Sequence, residues 1–190
     1  MIKWIMILHC CCYVSGNLVA QTRRNGRDMK LQSVVTEQAE IKNGAQEPGR
    51  QTVVEYDRRG NVITNIERNA DSTYRNYDTY VFNKQNREIE HTEYDNTGKI
   101  IRKTESEYDN LGNKTTELIT DSAGMLIEKV VFHYNGFDQK TEETTYKATG
   151  ELKKKTLYAY DKQGSLIERS SYDANGVLTY SKKYVYQYYK

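Results

Sequence analysis

The aromatic residues of this chain fall on a beat. Tyr56, Phe82, Tyr94, Tyr108, Tyr134, Tyr146, Tyr160, Tyr172 and Tyr186 are separated by spacings that alternate between 12 and 14 residues, and Arg68 and Thr120 occupy the two beats that lack a ring. A period of 26 residues held over most of a chain means stacked copies of one supersecondary unit. That constraint reaches further than any single motif, because it fixes the kind of architecture before any chemistry is considered.

A turn follows most beats. Asp57 and Gly60, Asp95 and Gly98, Asp109 and Gly112, Asp161 and Gly164, and Asp173 and Gly176 stand first and fourth after the aromatic residue. Gly124 and Gly150 keep the fourth position elsewhere, and Ser72, Asn86 and Asp138 occupy it at the remaining beats. Asn and Asp tolerate a left-handed backbone best after Gly. Asp first and Gly fourth fits a type I turn closed by a G1 bulge, with the Asp side chain capping the backbone two residues on.

A three-residue loop sets Asp57 opposite Asn61, and the residue on the beat opposite the residue six positions later. The expected pairs are Tyr56 with Val62, Arg68 with Tyr74, Phe82 with Glu88, Tyr94 with Ile100 and Tyr108 with Lys114. They continue as Thr120 with Leu126, Tyr134 with Lys140, Tyr146 with Leu152, Tyr160 with Leu166 and Tyr172 with Leu178. Loops of odd length keep residues of one parity on one side of a sheet. Of the 16 tyrosines beyond residue 20, 14 carry even numbers, so this reading places those 14 on one face. The odd-numbered face then reads as mostly wet, and Glu143 faces Lys155. Tyr77-Asp78 has the dipeptide but lies off the beat, inside a strand.

Subtracting three loop residues from each spacing leaves strands of about 9 or 11 residues. The expected fold is all-β: an antiparallel meander of repeated β-hairpins, about eleven strands, forming a single curved sheet or an open, partly rolled barrel. The repeat domain is taken as 53–190. Residues 21–52 are polar and read as a loosely ordered segment, with an extra strand pair or a short helix as the other forms open to it.

Residues 1–20 differ from the rest. Lys3 precedes an apolar run from Trp4, and Ser15, Gly16 and Ala20 lead to a cut before Gln21, the layout of a secretory signal peptide. The run is too short to span ~30 Å of hydrocarbon, and Cys10, Cys11 and Cys12 lack the small residues that precede a lipidated cysteine. Cleavage would remove all three cysteines, and losing Lys3 takes 28 basic residues to 27 against 26 acidic. Such a balance argues against a nucleic-acid partner, which needs a clustered basic field. The expected location is therefore exported: secreted, periplasmic or on the outer surface, with no transmembrane helix in the mature chain.

Tyr-Asp-x-x-Gly, followed by a small or polar residue and then usually an aliphatic one, resembles the YD repeat of the RHS and teneurin-like proteins. The clearest copies are 56–62, 94–100, 108–114, 160–166 and 172–178, and the resemblance covers roughly 53–190. It implies a β-hairpin sheet of secreted or surface proteins, which in long members winds into a hollow shell around a toxin. The MORN-like repeat is the second resemblance.

No catalytic constellation stands out, and no metal or cofactor is expected. His91 and His133 lie 42 residues apart and read as surface residues. One Asp per turn, with alternate turns at opposite ends of a sheet, is a capping pattern and not a calcium loop. The feature with functional potential is the tyrosine ladder. Tyr94, Tyr108, Tyr134, Tyr146, Tyr160, Tyr172 and Tyr186 form the candidate ligand or partner face, since aromatic rings line sugar sites and Tyr is common at interface hot spots. The expected function is an exported, non-enzymatic scaffold or binding module at the cell envelope or outside. The alternatives are a carbohydrate-binding protein and an accessory or immunity partner of an RHS-like toxin; a protein or glycan partner fits these readings.

Overall fold

The structure is a computed structural model that describes residues 22–24, 27–29, 31–43, 45–187 and 189. The signal peptide expected over 1–20 and its cut near Ala20 lie outside the described residues. The strands are β1 (Thr22–Arg24), β2 (Arg27–Met29), β3 (Ser33–Lys42), β4 (Ala45–Tyr56), β5 (Val62–Arg68), β6 (Tyr74–Phe82) and β7 (Glu88–Tyr94). They continue as β8 (Ile100–Tyr108), β9 (Lys114–Asp121), β10 (Leu126–Tyr134), β11 (Lys140–Lys147), β12 (Leu152–Tyr160), β13 (Leu166–Asp173) and β14 (Leu178–Lys183). β1 pairs with β2, and β3 to β14 form one twelve-stranded antiparallel meander in chain order that is not closed into a barrel. The eleven strands read from the beat are β4 to β14. The twelfth, β3, comes from the polar segment 21–52, and β4 runs through position 53 without a break.

The ten turns share one geometry. At the first, Gly60 N–H donates to Asp57 O (3.1 Å) and Asp57 N–H donates to Asn61 O (2.9 Å), closing the type I turn and its bulge. The last residue of each type I turn has positive φ, from 77° to 100° at glycine and 67°, 64° and 59° at Ser72, Asn86 and Asp138. All ten pairs expected six residues apart are present, including Phe82 with Glu88. Several strands are shorter than expected, seven residues in β5 and β7 and nine in β6 and β8, because the turn takes five residues out of the ladder instead of three.

One residue inside each turn the register shifts. Tyr56 pairs with Val62 but Glu55 pairs with Thr64, leaving Ile63 as an extra residue; the same shift recurs in every hairpin from β4 to β14. This β-bulge inverts the parity expected from the loops. Lys129 lies opposite Tyr146, Lys155 opposite Tyr172 and Tyr158 opposite Arg169. The expectation that even-numbered tyrosines share one face is therefore overturned. The bulge also corrects Glu143: it faces Thr156, Lys155 faces Thr144, and the Lys155 ammonium reaches Glu142 at 2.9 Å.

The faces follow from tracing the register across the sheet. Tyr56, Phe82, Tyr108, Tyr134 and Tyr160 lie at one end of the strands and project from one face; Arg68, Tyr94, Thr120, Tyr146 and Tyr172 lie at the other end and project from the opposite face. Side-chain contacts agree. Arg102 grips Glu93 (2.7 Å) and His91 meets Asp78 (3.0 Å) on the Tyr108 face, while Lys103 bridges Glu90 (2.9 Å) and Glu105 (2.8 Å) on the Tyr94 face. The repeat unit is thus the full 26 residues, and the 12- and 14-residue halves are opposite in end and in face.

The bulges also stagger the strands. Glu55, Thr79 and Lys103 lie in one row, each two strands from the next, at spacings of 24 residues, whereas the sequence repeats every 26. Each strand is therefore offset by about one residue, or ~3.3 Å. Among the described residues Val130 is the only buried apolar side chain (7 % exposed); the other buried residues are Thr92, Ser106, Thr144, Thr156, Ser170 and Ser171. These small residues sit mid-strand and are covered by long neighbours on the same face. The sheet is held edge to edge, by ladder hydrogen bonds and cross-strand pairs, and not by a thick core.

Candidate functional site

The two ends of the sheet are chemically different, and the difference repeats every 26 residues. At the Tyr108 end the residues after the first four positive-φ positions are Asn61, Arg87, Asn113 and Gln139 in succession, and Ser165 follows the fifth. Each of the first four reaches the next turn at the same end. Asn61 Nδ2 donates to Asn86 Oδ1, and Arg87 Nη1 donates to Asp109 O (3.3 Å). Asn113 Nδ2 donates to Asp138 Oδ1 (3.1 Å), and Gln139 Nε2 donates to Gly164 O (2.9 Å). Arg59 adds bonds from its guanidinium to Asn83 O (3.0 Å) and Lys84 O (2.8 Å). Five turns at this end are thereby linked into one hydrogen-bonded rim. At the Tyr94 end the same position holds Thr73, Lys99, Met125, Glu151 and Val177, which form no such chain among the described residues.

The aromatic ladder is part of this rim. Tyr108 donates its hydroxyl to Glu88 O (2.6 Å), Tyr134 to Lys114 O (2.9 Å), Tyr160 to Lys140 O (2.8 Å) and Tyr186 to Leu166 O (2.8 Å). Each acceptor is the first strand residue after the preceding turn at that end, beyond the reach of the regular ladder because of the stagger. The hydroxyl thus replaces a missing backbone donor. Burial pushes the Tyr108, Tyr134 and Tyr160 hydroxyls above the ordinary tyrosine range. Of the candidate face, then, Tyr108, Tyr134, Tyr160 and Tyr186 are brought together, while Tyr94, Tyr146 and Tyr172 stand at the other end on the other side. Tyr94 stacks on the off-beat Tyr77 at 4.1 Å, and Tyr77 on Tyr74 at 5.0 Å, with Arg68 over the Tyr74 ring. That stack takes up the off-beat Tyr77, with the Arg68 guanidinium standing where other beats carry a ring, while Asp78 projects from the opposite face to meet His91.

The turn aspartates act as caps. Asp57 Oδ1 accepts Arg59 N–H (2.7 Å) and Asn61 N–H (3.0 Å); Asp95, Asp109, Asp161 and Asp173 bond the equivalent residues two and four positions on. Asn83 and Asn135 do the same where Asp is absent. The backbone amides of Lys99 and Asn113 hold the Asp95 and Asp109 carboxyls below their ordinary range. Of the two histidines, His91 stacks on Tyr80 at 4.7 Å on the Tyr108 face, whereas His133 belongs to the other face. Burial, reinforced by Asp78, pushes Tyr80 up to about 12.

A groove of about 650 Å³ opens on the rim between two adjacent turns of the Tyr108 end, lined by Asn135, Phe137, Gln139, Tyr158, Tyr160 and Gln163 among others. Phe137 is 86 % exposed. The Tyr158 ring is taken: Lys140 lies 4.7 Å from its centre, Arg169 5.7 Å, and its hydroxyl bonds Glu143 (3.0 Å).

No protein-family model matches the chain, and no curated protein matches it. Solved structures resemble its fold weakly. The TcdB2-TccC3 crystal structure has a TM-score of 0.43 at 13% identity, covering 73% of this chain but only 9% of that one. A protein of unknown function from Bacteroides fragilis has a TM-score of 0.34 at 12% identity over 80% of this chain and 93% of its own. A porin-like protein from Bacteroides uniformis has a TM-score of 0.34 at 12% identity over 79% and 82%. Among the described residues no helix is long and apolar enough to cross a membrane.

Proposed function

We propose that this chain is an exported, non-enzymatic YD-type repeat scaffold, whose evenly spaced turns hold a long rim in place at the cell envelope or outside. One observation carries the reading. The hydroxyls of Tyr108, Tyr134, Tyr160 and Tyr186, the recurring polar groups of the ladder, are spent on the sheet's own carbonyls. A ladder built to bind sugars would instead leave rings coplanar and open along one side, and these rings are half-buried or divided between two faces. The Tyr-Asp-x-x-Gly copies support the assignment to the repeat type.

A second reading is favoured by the groove beside Phe137, where an exposed ring lies next to the amides of Asn135, Gln139 and Gln163. A ring flanked by amides is the chemistry of a sugar site. Glycan-array binding separates the two. The scaffold reading expects no glycan to be retained. Retention of one that is lost on Phe137→Ala, with the melting temperature unchanged, would replace the scaffold by a glycan-binding module.

A further inference from the structure

Among the described residues the meander has two edge strands, β3 and β14, and their residues fit each other. Among the described residues β3 pairs only with β4, and β14 pairs only with β13. Every residue of β14 is exposed, including Leu178 (53 %) and Tyr180 (45 %), and the edge of β3 exposes Val34 and Val35. Open edges template further pairing unless Pro, bulges or edge charges block them, and Lys182 and Lys183 of β14 leave such pairing open only to a strand of opposite charge. Pro, which would block pairing, is absent from both strands.

Charge supplies the selectivity. β14 ends in Lys182 and Lys183, and β3 carries Glu37 at its centre. Tracing the register puts Lys183, opposite Glu168, and Glu37, opposite Gln51, on the same Tyr94 face. In the meander neighbouring strands alternate in direction, so β14 and β3 run oppositely. A second copy placed in the same orientation therefore presents its β3 antiparallel to β14, the arrangement already repeated across the sheet.

We propose that β14 of one copy pairs with β3 of a second copy, Lys183 facing Glu37, so that the protein assembles head to tail through its sheet edges. The contact is heterologous, one patch meeting a different patch, and it propagates into rings or open filaments instead of stopping at a symmetric dimer. This goes beyond the scaffold reading and does not rest on it, because the scaffold stands equally as a monomer.

Sedimentation velocity on the protein in its natively processed form, across concentration and at low and high salt, tests it. Assemblies larger than dimers are expected, weakening as salt screens the charge pair. Lys183→Glu alone and Glu37→Lys alone each turn an attraction into a repulsion and weaken association by roughly tenfold. Mixing the two variants restores it, because every junction between one variant and the other again joins opposite charges. A monomer throughout the range overturns the proposal. Association untouched by either reversal overturns it too, by placing the contact elsewhere. Failure of the mixture to assemble also overturns it, since the charge match is then not what joins the edges.

Discussion

Replacing Tyr134 by Phe removes one hydroxyl and leaves the ring. In the structure that hydroxyl donates to Lys114 O at 2.9 Å, across the gap that the stagger leaves between two turns of the Tyr108 end. A net intramolecular hydrogen bond contributes about 0.5–1.5 kcal/mol, and the freed carbonyl is near enough to solvent to be rehydrated, so Tyr134→Phe should cost about 1 kcal/mol. Tyr146→Phe is the control. Tyr146 is on the same beat and half-buried, but its hydroxyl makes no hydrogen bond among the described residues; its substitution should stay within about 0.5 kcal/mol of zero. Adjacent members of the ladder are two strands, roughly 10 Å, apart. Their effects should therefore add, and Phe at 108, 134, 160 and 186 together should cost about 2–6 kcal/mol. Urea unfolding followed by circular dichroism measures each. Equal losses at 134 and 146, or no loss at either, would refute the idea that the hydroxyls at one end tie successive hairpins together.

Three further outcomes follow from the turns and bulges. Gly124 has φ 77° with open space at its Cβ, so Gly124→Ala should cost about 1–2 kcal/mol in thermal unfolding while Gly124→Asn, the residue already used at position 86, costs less. The Asp95 and Asp109 carboxyls are held below their ordinary range by backbone amides, so the stability they contribute is complete above about pH 4, the unfolded Asp range, and is lost as pH falls through their lower folded values. Asp109→Asn should flatten that acid limb in a pH series of melts, since Asn135 makes the same caps. Deleting Ile127, the extra residue of its bulge, should invert the faces along the rest of β10 and abolish the cooperative unfolding transition, whereas Ile127→Thr, the residue type at 115, should leave it in place.

The turns and the first pair of every hairpin are readable in the sequence because they depend on local chemistry: Asp caps, a left-handed residue, and a fixed loop length. The bulge is hidden as long as loop length alone sets parity. A signal for it exists in the residues seven after most beats. Ile63, Ile89, Ile101, Ile127 and Ile167 and Thr115, Thr141 and Thr179 are all β-branched, and the three threonines donate to carbonyls across the bulge at 3.1–3.3 Å. Those isoleucines look like scattered members of a wet face until their recurring position is counted. The rim is legible in the same way, since Asn61, Arg87, Asn113 and Gln139 recur at 26 residues. It disappears when the 12- and 14-residue halves are treated as equivalent copies. The strand β3 lies off the beat and lacks the Tyr-Asp-x-x-Gly turn; its signal is the Asn43-Gly44 dipeptide between the paired residues Lys42 and Ala45, a two-residue hairpin loop easily passed over in a polar segment.

The central claim is that one extra residue per hairpin sends successive rings to opposite faces. Beyond residue 20 the sequence holds no cysteine, so engineered pairs report register cleanly. With the bulge, Glu142 lies opposite Leu157; without it, Glu143 would lie opposite Lys155. Only side chains directly opposite on one face come close enough for a disulfide. Glu142→Cys with Leu157→Cys is therefore predicted to oxidise readily to an intramolecular disulfide, and Glu143→Cys with Lys155→Cys is predicted to stay reduced. The reverse result would contradict the bulged register.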